Sequence, residues 1–121
     1  MTKDLNNAIK LCKELLDIIT IKEEESETPF YVNVSNELKR EGYYLLARIE
    51  NVLNDKEDER TMLKTIWDFN RSINIHKESF ETFARNRTFK KAEVFYEKII
   101  YASAKLDIIE MYAIRHRNIP F

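Results

Sequence analysis

The chain has 121 residues, a formal net charge of −1, one glycine, two prolines and one cysteine. Average proteins carry roughly 7% Gly and 5% Pro, so this poverty excludes a sheet protein built on many tight turns and removes glycine-rich phosphate loops and nucleophile elbows. A length of 121 residues fits one domain, and 44% hydrophobic content with seven Phe, six Tyr and one Trp argues for a packed core rather than disorder.

The first predicted helix runs from about Asp4 to about Lys22. Leu5, Ala8, Ile9, Cys12, Leu15, Leu16 and Ile19 recur at helical spacing, and Thr2 or Asp4 can accept hydrogen bonds from the free N–H groups of the first turn. The acidic run Glu23–Glu27 repels itself and turns the chain. Thr28-Pro29 then opens a second helix, because proline at the first helical position gives up no needed N–H. Its stripe reads Phe30/Tyr31, Val34, Leu38, Gly42, Leu45, Ile49, Val52 and Leu53. A short extended segment over Phe30–Val34, capped by Ser35 or Asn36, is the rival reading. Gly42 falls where a core side chain is expected. Close approach of two helices is the preferred explanation, and a notch for a partner's side chain is the other.

Residues 54–59 form a polar turn that can cap a third helix, with Met62, Leu63, Ile66, Trp67, Ile73, Phe80, Phe83 and Ala84 on its stripe; this helix either continues to about Arg85 or is kinked or split near His76. Arg85–Thr88 make the next turn, with Thr88 as cap. The fourth helix is predicted from Phe89 to about Arg115 and is apolar nearly all round. Ala92, Phe95, Tyr96, Ile99, Ala102, Leu106 and Ile109 make one face; Val94, Tyr101, Ile108, Met111 and Tyr112 lie elsewhere. Such a helix is either central or covered by another chain. Short connections between four helices predict an all-α, antiparallel up-down-up-down four-helix bundle, with residues 1–121 as a single domain.

Charge is uneven: residues 1–59 sum to −6, residues 60–84 to +1 and residues 85–121 to +4. In an up-down bundle, Glu23–Glu27 neighbours the basic cluster Arg85, Arg87, Lys90 and Lys91, while residues 55–59 neighbour Arg115, His116 and Arg117. Opposite charges within a Debye length of about 8 Å cancel at a distance, which weakens a nucleic-acid reading through the Arg85–Lys91 cluster without removing it. One cysteine allows no internal disulfide and points to a reducing compartment. The opening residues lead into an amphipathic stretch rather than a signal-type apolar region, and no run reaches the ~20 apolar residues of a membrane span. A cytoplasmic location and no membrane association are expected. Heavy use of Ile, Lys, Glu and Asn suggests an AT-rich genome, hence a low-GC bacterium or its phage.

Metal and cofactor sites are not expected. One Cys and two distant His cannot cage zinc. The Glu-x-x-His pairs of di-iron bundles are missing, since Ile73 and Ala113 stand three residues before His76 and His116. One polar cluster stands out: Asn70, Arg71, Asn74 and His76, with Asp68 nearby. Arg71-x4-His76 resembles the arginine–histidine motif of the HEPN superfamily, small helical-bundle proteins that include ribonuclease toxins. The resemblance covers six residues and departs from the commonest pattern at Ser72, where Asn or Asp is typical. It implies Arg71 as a phosphate ligand and His76, with Asn74, in metal-free RNA cleavage across a dimer. Partly buried polar residues with local partners, or a solvated face at a kink, account for the same residues more simply.

Tyrosine contributes large contact area and a polar tip at low entropy cost. Tyr43, Tyr44, Tyr101, Tyr112, Ile108 and Phe121 are therefore the candidate partner-binding residues. The sequence favours a small non-catalytic protein acting through protein–protein contacts, such as a regulator, inhibitor, immunity protein or assembly subunit of a bacterium, phage or mobile element. A homodimer through the fourth helix would bury that helix's excess apolar surface.

Overall fold

A computed structural model describes residues 2–22, 29–86 and 91–117, without the side chain of Arg117. Four helices account for nearly all of them: α1 (Thr2–Ile19), α2 (Pro29–Leu53), α3 (Glu59–Arg85) and α4 (Ala92–Arg117). Glu23–Glu27, Thr28, Arg87, Thr88, Phe89, Lys90 and Phe121, to which the sequence assigns roles, lie outside the described residues.

Each helix packs on its neighbours in the chain, and α1 closes the ring against α4. Paired residues show the directions. Cys12 meets Gly42 while Ile19 meets Ser35. Glu41 meets Ser72 while Glu37 meets His76. Trp67 meets Glu110 while Glu59 meets His116. Glu14 meets Lys105 while Asp4 meets Arg115. In every pair of neighbours, one partner's number rises as the other's falls, so the protein is an antiparallel four-helix bundle.

The core follows the predicted stripes. Leu5, Ala8, Cys12, Leu15, Leu16 and Ile19 face Val34, Leu38, Leu45 and Ile49 in one cluster that draws on all four helices. A fully buried Leu or Ile contributes about 1.5–3 kcal/mol relative to exposure. Near the start of α2, Tyr31, Phe80 and Phe95 form an aromatic plug, with Phe80 and Phe95 centroids 4.6 Å apart and Tyr31 stacked on Phe95 at 5.6 Å. Residues 30–34 are therefore helical, because Tyr31 and Val34 must both reach this core.

Several sequence expectations are corrected. α1 ends at Ile19 rather than Lys22: the Thr20 hydroxyl turns back to the Leu16 carbonyl at 2.7 Å, and the buried Ser35 hydroxyl donates to the Ile19 carbonyl at 2.5 Å. A helix end leaves such carbonyls without internal partners. Of the two alternatives for α3 the continuous one holds: it is one unbroken helix of 27 residues to Arg85, not split near His76. Asp58 caps it, accepting from the Arg60 and Thr61 N–H groups. Trp67 is 52% exposed, and Phe69 takes the core place given to it.

The only glycine makes no turn. It lies in the middle of α2, where an added Cβ would stand 2.6 Å from Leu16 Cδ2. This is the close helix–helix approach expected from its place on the stripe. The position that usually takes glycine, just past a helix C-terminus, holds Asp55 with φ of 60°. Around it the Asp55 N–H bonds the Val52 carbonyl and the Lys56 N–H bonds the Asn51 carbonyl, a Schellman end to α2.

Candidate functional site

Two surfaces carry the predicted site residues. The first is the seam between α2 and α3. Arg71 and Asn74 are exposed and His76 is half-buried. Five residues of helix turn the chain by about 500°, so Arg71 and His76 point about 140° apart. One chain does not bring them together. His76 instead meets Glu37 of α2, Nε2 to Oε2 at 3.4 Å. One turn along, Ser72 donates to Glu41 at 2.9 Å. The other carboxylate oxygen of Glu41 is buried and accepts no hydrogen bond. Burial raises the Glu41 pKa, and Glu37 and Asp68 raise it further, against the opposing Ser72 hydrogen bond. Arg40, Glu41, Tyr44, Thr65 and Asp68 line an open pocket of about 250 Å³ beside it.

Tyr43 and Tyr44 are both exposed on α2. Tyr44 accepts a hydrogen bond from Arg48 at 2.5 Å, and the guanidinium lies over its ring, 4.6 Å from the centroid. Arg48 also pairs with Glu57 in the turn before α3. These contacts tie Tyr44 to the fold.

The second surface is the outer face of α4. Val94 is 57% exposed, Tyr101 62%, Ile108 39% and Met111 45%. Val94, Tyr101, Ile108 and Arg115 stand one heptad apart, and Glu97, Ala104 and Met111 form the matching second row, all of them exposed. Ile100 and Ile114 edge this strip on one side. On the α3 side Trp67 donates through Nε1 to Glu110 at 2.8 Å, which holds its exposed ring against α4. Among the described residues, no other helix of the chain covers this strip.

No match to this chain was found among protein-family models, curated proteins or solved structures.

The structure separates the predicted partner-binding residues. Tyr101 and Ile108 share the α4 strip. Tyr43 and Tyr44 lie on α2, diagonal to α4 in the ring of helices. Tyr112 packs partly against the core, with the Arg115 guanidinium 5.7 Å from its ring centroid, and so belongs only to the strip's margin. Phe121 lies outside the described residues. In the basic cluster, Arg85 pairs with Glu81 at 2.9 Å and Lys91 is exposed; Arg87 and Lys90 lie outside the described residues. At the opposite end of the bundle His116 meets Glu59 at 3.9 Å, within the pairing expected there, whereas Arg115 meets Asp4 of α1 at 3.8 Å rather than the 55–59 run. Val94, Ala104 and Met111 were not among the predicted partner residues. The signal for them was the seven-residue spacing through Tyr101 and Ile108.

Among the described residues no group of His, Cys, Asp and Glu is arranged to hold a metal ion, and no helix is long and apolar enough to cross a membrane. Cys12 is fully buried, and burial pushes its thiol pKa up to about 12, with Glu50 adding to the shift.

Proposed function

We propose that this protein acts by binding another protein through the outer face of α4, with no catalysis of its own. The observation that carries this reading is the exposed strip Val94, Tyr101, Ala104, Ile108 and Met111 on a helix whose opposite face already fills the core. Single exposed apolar residues are ordinary, whereas contiguous apolar patches mark interaction sites. Knob-bearing positions in two rows at heptad spacing suit a partner helix. Regulators, inhibitors, immunity proteins and assembly subunits work through surfaces of this kind, and a reducing cytoplasm suits a chain with one buried thiol.

A photo-crosslinking residue at Ile108, compared with one at exposed Lys13 on α1, tests the reading in cells that make the protein. A discrete protein adduct from position 108 and none from position 13 is the expected result. No adduct from position 108 would overturn it.

A further inference from the structure

We propose that the occupant of the α4 face is a second copy of this chain, its α4 antiparallel to the first, with Glu97 of each copy paired to Arg115 of the other. This rests on the reading of that face as a protein-binding surface and names its partner.

The charges select the arrangement. The strip is apolar in its middle and carries Glu97 near its start and Arg115 near its end, both exposed. Parallel pairing would set Glu97 on Glu97 and Arg115 on Arg115, a like-charge cost at both ends. Antiparallel pairing admits only registers that interleave the two heptad rows. The register that sets Glu97 opposite Arg115 also sets Tyr101 opposite Met111 and Ala104 opposite Ile108. Each large side chain then meets a small or flexible one, and a thioether beside an aromatic ring is a favourable contact. Sliding by one heptad in one direction buries Glu97 against Ile108. Sliding in the other direction sets Arg115 against Ala104. In the favoured register Ile100 of one copy also lies beside Ile114 of the other. The arrangement is two-fold and self-complementary, as closed dimers require.

The seam from Glu97 to Arg115 is about 27 Å long at 1.5 Å per residue. One helix pair of that length buries less than a standard interface, so the dimer is weak and reversible. Asp107 approaches its own copy near the two-fold axis at the exposed rim, a screened like-charge contact that keeps affinity down.

Sedimentation equilibrium on the full chain reads the association directly. The expected result is a concentration-dependent monomer–dimer equilibrium in the micromolar range. Glu97→Arg weakens it by about tenfold or more, because two arginines then meet at each end. The double variant Glu97→Arg with Arg115→Glu restores association to near the native level. Far-UV circular dichroism and the thermal midpoint confirm that each variant is folded, which matters because Arg115 also contacts Asp4. A native chain that stays monomeric at high micromolar concentration overturns the self-pairing. So does a dimer indifferent to Glu97→Arg, or a folded double variant without recovery. A monomeric chain that still yields a foreign adduct from position 108 removes only the self-pairing; a monomer with no adduct removes the surface as well.

Discussion

Leu16 of α1 occupies the space where Gly42 of α2 lacks a side chain: a Cβ there would lie 2.6 Å from Leu16 Cδ2 and 3.3 Å from its Cγ. The Cys12 thiol, one turn earlier on α1, donates to the Gly42 carbonyl at 3.4 Å. The glycine costs about 1 kcal/mol of helix propensity against alanine and in return lets two helices touch.

Gly42→Ala trades that propensity gain against a displaced Leu16 side-chain tip, so its unfolding free energy stays within about 1 kcal/mol of native. Gly42→Leu overfills the contact and costs about 3 kcal/mol or more, since the backbone must move. Urea unfolding of both variants checks this. Equal tolerance of Ala and Leu would contradict the close approach.

Asp55 holds a left-handed backbone at the end of α2. Glycine adopts that conformation without steric cost, so Asp55→Gly stabilises by about 0.5 kcal/mol after its extra unfolded-state entropy is counted. A rise in the urea midpoint at unchanged slope is the expected signature.

Cys12 is shielded, and its thiol is held in the protonated, unreactive form. A thiol reagent at mildly alkaline pH labels the native chain only as fast as the core opens, and labelling accelerates with urea in step with unfolding. Prompt labelling of the folded chain would show α1 to be loosely packed.

Glu41 holds a proton more readily in the folded chain than its ordinary value of 4.5 allows. The folded state therefore binds more protons than the unfolded state between those two values, and stability from this group rises as pH falls through that window. Above it the buried carboxylate destabilises. Glu41→Gln keeps an acceptor for Ser72, stabilises the fold at neutral pH and flattens its pH profile. Comparing the native and Glu41→Gln profiles isolates the contribution of this group.

Arg71 and His76 diverge around α3, so under the non-catalytic reading RNA stays intact with the native protein and equally with Arg71→Ala and His76→Ala. His76→Ala shifts the thermal midpoint by removing the contact to Glu37 across the α2–α3 seam. Metal-independent cleavage lost in both variants would instead establish the ribonuclease reading.

Much of the fold was legible residue by residue. The Gly42 and Leu16 stripes, the Pro29 start of α2 and the polar turn before α3 were all read from spacing and capping chemistry. Trp67 shows the limit. Ile66 and Trp67 are adjacent, about 100° apart on the helix, and periodicity does not say which side the neighbouring helices cover. The packing of α4 against α3 decided it: Phe69 went inward, and Trp67 stayed at the rim with its N–H on Glu110. Arg71 and His76 do not meet within one chain for a related reason, since closeness in sequence on a helix is not closeness in direction.

By itself the sequence determined an all-α chain, four helices and the stripes that make their core, because glycine poverty and apolar period are local properties of the backbone. Only the tertiary structure decided which apolar residues were left over. A helix apolar all round has no preferred side until its neighbours choose one. Once α1 and α3 covered one face of α4, the remainder proved to be two exposed rows at heptad spacing, with Glu97 near one end and Arg115 at the other.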